Sequence, residues 1–229
     1  MKIDSNAPLG RTLADLAVAT PSATRVFHRH GLDFCCGGRV PLAEACAKEG
    51  LDPDLIAKEL GEAAHAQGSL PDTLWDEASP KELIAHILES FHADHRVEVP
   101  RLIAMAKKVE EVHADKPDCP TGLATHLEHM LESLEDHMEK EEEVLFPLVL
   151  EGRGGIAQMP IRVMESEHRD HGNNLARMKK LAHDYMPPEE ACNTWRALYL
   201  GVDQLEKDLM QHIHLENNVL FPKALEQRG

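Results

Sequence analysis

Apolar positions recur at helical spacing along most of the chain, and the interruptions set off a short leading part from four long helical stretches. Thr20-Pro21 and Asp52-Pro53 each place an N-cap residue ahead of a proline suited to the first helical position. Residues 1–65 are therefore predicted to form a small helical module, broken by the segment GLDFCCGG at 31–38. Residues 66–79, AQGSLPDTLWDEAS, read as a linker, because Gly68, Pro71 and the polar residues interrupt any periodicity. Ser79 then signals a helix start: it can cap, Pro80 can occupy the first turn, and Glu82 three residues on completes a capping box. Four helices are predicted over about 80–114, 120–151, 158–185 and 188–227, with a kink at Pro100. The second stops at Gly152, Gly154 and Gly155, and the third before Pro187 and Pro188. Four helices with short connections favour an up-down-up-down bundle over residues 80–229.

Composition agrees with an all-α chain and narrows its partners. Of 229 residues 42% are apolar, enough for a sizeable core, while aromatics are only 4% and Ala, Leu and Glu are plentiful. Ala and straight-chain residues lose little freedom in a helix, and the scarcity of β-branched runs leaves little material for a sheet. A formal net charge of −16 repels phosphate backbones, which argues against nucleic acid. Most of the acid excess reads as solvated helical surface. No apolar run approaches the roughly 20 residues that span a bilayer, and MKIDSNAPLG lacks the apolar stretch of a signal peptide. The expectation is a cytoplasmic protein with no membrane partner. Five cysteines, an odd number, do not make a secreted disulfide framework, so reduced thiols are expected.

The second and fourth helices share a segment. His137 to Pro147 reads HMEKEEEVLFP and His212 to Pro222 reads HIHLENNVLFP, at an offset of 75 residues. The first and third share a weaker one, HADH at 92–95 and HRDH at 168–171, at an offset of 76. Shared Leu, Val and Phe alone would reflect common core spacing, but shared His and Glu at matching offsets point to an internal duplication. Each half is then a helix with H-x-x-H followed by a helix with H-x-x-x-E.

Residues i and i+4 of a helix lie one turn apart on the same face. His137 and Glu141 can therefore reach one point in the bundle interior, and so can His212 and Glu216 from another helix. His92 and His168 add one imidazole each. Four nitrogens and two carboxylates that each bridge would satisfy most of two octahedral or five-coordinate ions, and this N/O set suits iron or manganese better than a thiolate site would. Burying such carboxylates without a cation would cost several kcal/mol. His95 and His171, one turn further along, could be ligands, outer partners or surface residues. Glu167 could be an outer or a channel carboxylate. Glu142 and Glu143 lack counterparts in the fourth helix and read as solvated. His28, His30, His65, His86, His113, His126, His129, His183 and His214 have no repeat support and read as surface or packing residues.

Cys35 and Cys36 sit in a loop before Gly37 and Gly38. Adjacent cysteines rarely bond each other, because the ring is strained. Exposed near a helix N-terminus, one of them could have a lowered pKa and exchange thiols or capture metal. The opposing reading is that both pack in a small core. Cys46, Cys119 and Cys192 are isolated and read as structural.

H-x-x-x-E-x-x-x-x-F-P in a duplicated bundle resembles the hemerythrin-like domains. The strings MEKEEEVLFP, VMESEH and LENNVLFP resemble the repair-of-iron-centres family of ScdA/YtfE type, as do PLG at 8–10, GLDFCCGG at 31–38 and HADKP at 113–117. The likeness covers nearly the whole chain. It implies a hemerythrin-like bundle behind a small N-terminal domain with vicinal cysteines, in a cytosolic protein that is often a homodimer. It also implies two non-haem iron ions with oxo and carboxylate bridges, on His92, His137, Glu141, His168, His212 and Glu216. The implied role is repair of iron–sulfur proteins damaged by nitric oxide or peroxide under nitrosative or oxidative stress. Oxygen-carrying hemerythrins differ in having five histidines, an H-x-x-x-H pair and an aspartate bridge, so an oxygen store is not expected. The reading favoured is non-enzymatic supply of iron, with Cys35 and Cys36 docking on the client or aiding transfer. A di-iron enzyme reducing nitric oxide or peroxide, and a sensor of a diatomic gas such as nitric oxide or oxygen, remain the alternatives.

Overall fold

The capping box forms as its spacing requires. In the computed structural model, which describes residues 8–66 and 75–226, the amide and hydroxyl of Ser79 both donate to Glu82 Oε2, at 2.8 and 2.6 Å. The Glu82 amide donates back to Ser79 Oγ at 3.3 Å. Most of the expected linker, residues 67–74, lies outside the described residues. All the regular structure described is helical, with a single β-bridge between Thr12 and Pro41. No helix among the described residues is long and apolar enough to cross a membrane. The chain divides into two compact units, one of Met1–Leu83 with Ile213–Lys223 and one of Ile84–His212 with Ala224–Gly229.

The first unit holds four short helices, α1 (Leu13–Ala19), α2 (Ala23–Arg29), α3 (Leu42–Glu49) and α4 (Pro53–Ala66). Asp52 caps α4 as expected, its Oδ1 accepting from the Asp54 amide at 3.0 Å. At Thr20-Pro21 the helix starts later, at Ala23, and the prolyl carbonyl accepts from the Thr24 hydroxyl instead. Leu13, Val26, Phe27, Leu32, Phe34, Leu42 and Ile56 form the core. Between α2 and α3 the chain folds so tightly that a Cβ on Gly38 would lie 2.4 Å from the Phe34 carbonyl oxygen and 3.0 Å from Ala14 Cβ. Gly38→Ala is accordingly expected to cost about 1–3 kcal/mol, the usual range for forcing extra volume into packed structure. Thermal unfolding followed by circular dichroism checks this, and an unchanged melting curve would mean that the loop relaxes without cost.

Four long helices follow, three of them interrupted by a π turn. Helix α5 runs through Pro80–Ile87, a π turn at Leu88–His92, and Ala93–Val112. Helix α6 runs through Leu123–Lys140, a π turn at Glu141–Leu145, and Phe146–Leu150. Helix α7 is Gly154–Leu181, and α8 runs through Asn193–Leu215, a π turn at Glu216–Leu220, and Phe221–Glu226. Within the second unit α5 packs on α6 and α6 on α7. Lys179 of α7 pairs with Glu206 of α8 at 3.3 Å, and Gly201 of α8 lets Leu102 of α5 come in where a Cβ would clash at 2.4 Å. These contacts close the up-down-up-down bundle.

Three boundaries differ from the sequence expectation. Pro100 sits inside α5 without ending it, and the irregularity falls at the π turn instead. Gly154 and Gly155 open α7 rather than stopping α6, because Gly152 alone takes the left-handed conformation (φ +71°) that the turn needs. Helix α8 begins at Asn193, since Pro187 to Cys192 form a loop into which the Arg196 guanidinium donates at the carbonyls of Pro188, Glu189 and Ala191.

Candidate metal centre

The helical repeat places its histidines and glutamates where the bundle is driest. His92, Glu141, His168 and His212 are fully buried and His137 is 1% exposed. His92 Nε2 and His212 Nε2 lie 3.2 Å apart, and His137 Nε2 and His168 Nε2 lie 3.0 Å apart. Glu141 stands between the two pairs. Its Oε2 is 3.4 Å from His92 Nε2 and its Oε1 is 3.4 Å from His137 Nε2. His92, Glu141 and His212 present ligand atoms all within 4.8 Å of one another, and so do His137, Glu141 and His168. Glu216 lies one turn beyond His212 on helix α8, wholly buried and heading a π turn as Glu141 does.

Two imidazoles in adjacent positions of one metal ion, at roughly 2.1 Å from it and at a right angle, stand roughly 3.0 Å apart. Both observed pairs match that spacing. The donor set therefore fits two cations that share a carboxylate. Two of the four rings are also held in the tautomer that such binding needs. His92 Nδ1 donates to Glu142 Oε1 at 2.7 Å and His137 Nδ1 donates to Glu167 Oε2 at 2.9 Å, so each Nε2 lone pair is turned inward. Arg96 donates to Glu142 at 2.8 Å and Lys140 to Glu167 at 2.7 Å. Burial works against ionisation of Glu142, but the hydrogen bonds from Arg96 and His92 win and hold its carboxyl below the usual range. The hydrogen bond from His137, helped by Lys140, holds Glu167 down at about 2 against its burial. Both outer carboxylates are thus anions, which raises the basicity of the imidazoles they hold.

The pattern matches known proteins. The hemerythrin HHE cation-binding domain family matches residues 83–224, and ScdA_N, described as a domain of unknown function (DUF542), matches residues 9–64. The iron–sulfur cluster repair protein YtfE of Pectobacterium carotovorum subsp. carotovorum is 48% identical over 215 residues, 94% of this chain and 96% of that one. The YtfE proteins of Yersinia pseudotuberculosis and Dickeya chrysanthemi are 48% and 47% identical with the same coverage. The chain belongs to the YtfE family of hemerythrin-like proteins. Its cation-binding domain begins beside the Ser79 cap and takes in all four bundle helices.

Several residues fall elsewhere than expected. His95 and His171 are buried but stand outside the two triads, with ring centroids 5.5 Å from His212 and 4.9 Å from His137. Burial, reinforced by the rings of His137, His168 and His212, drives the pKa of His171 to about 3, so the ring is neutral packing around the site. Glu142 is not simply solvated: it is half-buried, bonded to His92, and lines a pocket of about 430 Å³ with Arg96, Leu88, Ala93 and Phe146. Its lack of a counterpart in α8 gave no signal for this role. Glu143 is exposed, as expected.

The cysteine pair departs most from expectation. No helix starts there, because α3 begins only at Leu42. Cys35 is buried, and its hydrogen bond with Cys36, together with burial and Asp33, pushes its thiol well above the ordinary range. Cys35 is therefore not the activated thiolate that a helix N-terminus would make. None of the five cysteines forms a disulfide.

Proposed function

We propose that this protein repairs iron–sulfur clusters by supplying iron held at a two-iron centre in its bundle. One observation carries the reading: the two oxygens of buried Glu141 each face a different imidazole pair, at 3.4 Å. A carboxylate so placed would serve both pairs. His92 and His212 would hold one iron, His137 and His168 the other, and Glu141 and Glu216 would bridge them. Bound there, the irons supply redox-active centres able to take nitric oxide or oxygen as ligands. The chain's own residues do the rest. Glu142 and Glu167 orient the rings, Arg96 and Lys140 neutralise the outer carboxylates, and the apolar walls keep water out. Released from these residues, the iron would be the cargo of the repair.

The same reading divides the chain into a module at 1–65, a linker at 66–79 and a bundle at 80–229. It also sets the protein in the cytoplasm as a homodimer under nitrosative or oxidative stress. The test mixes iron-loaded protein with a hydratase whose cluster has been damaged by nitric oxide. Activity is expected to return with iron-loaded protein and not with metal-free protein. Equal recovery with both would rule out iron donation, and many turnovers of nitric oxide per chain would put an enzyme in its place.

A further inference from the structure

A second cluster of metal-ligating side chains lies in the loop between α2 and α3, within the first unit. Asp33 organises it. Its Oδ1 accepts from the amides of Cys35 and Cys36 at 3.2 and 2.9 Å, and its Oδ2 from the amide of Gly37 at 2.9 Å. Asn217 and Asn218 donate to the carbonyls of Cys35 and Phe34 at 3.1 and 3.2 Å, fixing the loop from its other side. The tight approach at Gly38 keeps the backbone in that shape. Neighbouring side chains in an extended strand point to opposite faces. Here the folded loop brings Cys35 Sγ and Cys36 Sγ to 3.8 Å, and Cys35 Sγ to 3.3 Å from Asp33 Oδ1.

We propose that Asp33, Cys35 and Cys36 form a metal site separate from the bundle, a three-donor chelate for a thiophilic divalent cation of tetrahedral preference. Two thiolates on a tetrahedral ion at about 2.3 Å stand roughly 3.8 Å apart, the spacing this loop holds before any ion arrives. The three side chains offer ligand atoms all within 4.8 Å of one another. Asp33 is exposed and Cys36 half-buried, so an ion there is reachable from solvent and keeps a fourth position for an outside ligand. Binding replaces the two S–H bonds with two metal–sulfur bonds and releases both protons to solvent. The same neighbours that keep the Cys35 proton on in the absence of metal, the second sulfur and the Asp33 carboxylate, become co-ligands once a dication takes its place. The site goes beyond the proposed repair function and stands or falls without it.

The test titrates reduced, full-length protein, with its bundle site already loaded, with Co²⁺ under anaerobic conditions. A thiolate-to-cobalt charge-transfer band is expected to saturate at one equivalent and to persist in Cys192→Ser. In Cys36→Ser it is expected to weaken by more than the roughly tenfold affinity loss that even an outer-shell partner causes. No band, or one undiminished in Cys36→Ser, overturns the site. Alkylation of the unsubstituted chain, read by mass spectrometry, supplies a check that needs no variant. One equivalent of Zn²⁺ is expected to protect Cys36 while leaving exposed Cys192 to react, and equal labelling of Cys36 with and without Zn²⁺ overturns the proposal.

Discussion

Glu141→Ala is expected to abolish iron binding in the bundle while leaving the helices formed. The two oxygens of Glu141 face different imidazole pairs, at 3.4 Å on each side, and the residue is fully buried. Alanine would remove the proposed bridge and leave each histidine pair to hold a dication without a shared anion. Loss of an outer-shell partner alone costs about 10–100-fold in metal affinity, and loss of a bridging ligand exceeds that for both ions at once. Helix α6 should tolerate the change, because alanine is the best helix former. Metal analysis of protein from iron-supplemented cells, with circular dichroism alongside, checks both halves. Iron content equal to that of the unsubstituted chain would remove Glu141 from the ligand set. Loss of helix along with iron would mean that the residue is structural first.

The second large effect concerns the metal itself. Glu141 and Glu216 are wholly buried, and so are the four imidazoles of the proposed ligand set. Burying such carboxylates without compensation is costly. Metal bound to the folded chain stabilises it by mass action, by about 4 kcal/mol when its concentration is roughly a thousandfold above the dissociation constant. In a chain of this size each kcal/mol moves the melting temperature by roughly 2–4 °C, so stripping the iron is expected to lower it by roughly 8–16 °C. Calorimetry of iron-loaded and chelator-treated protein measures the difference. Coincident melting curves would show that the buried carboxylates and imidazoles satisfy one another without a cation.

What the sequence made legible was the part of the site that repeats. His137 with Glu141 and His212 with Glu216 stand one helical turn apart in copies of one segment, so spacing alone aimed them inward. The Ser79–Glu82 capping box was equally readable, because its chemistry is local. Of the outer partners only Glu167 was legible as a candidate, and neither its histidine nor the role of Glu142 could be read. Glu142 holds His92 from 50 residues away and Glu167 holds His137 from 30, and neither pairing follows the duplication. Such contacts are made by packing between helices, which a one-dimensional pattern does not encode. The π turns escaped for a different reason. They change the hydrogen-bond register of a helix without demanding any particular residue, whereas Pro100, which looks disruptive, is absorbed within α5. At the cysteine pair, sequence gave the loop but missed Asp33, whose three amide bonds decide where the sulfurs point.

The π turns also bear on the history of the fold. A π turn is what a helix becomes when one residue is inserted and the flanking turns keep their places. Those in α6 and α8 begin at Glu141 and Glu216, at the same step of the duplicated segment, each followed by Phe-Pro. The match is what an internal duplication of a half-bundle already carrying the extra residue would leave. The π turn ending at His92 has no counterpart in α7, so the first and third helices diverged after that event. A chain that lost one residue from either shared turn would rewind the helix there and rotate the Phe-Pro step that follows by roughly 100° about the axis relative to the His and Glu before it.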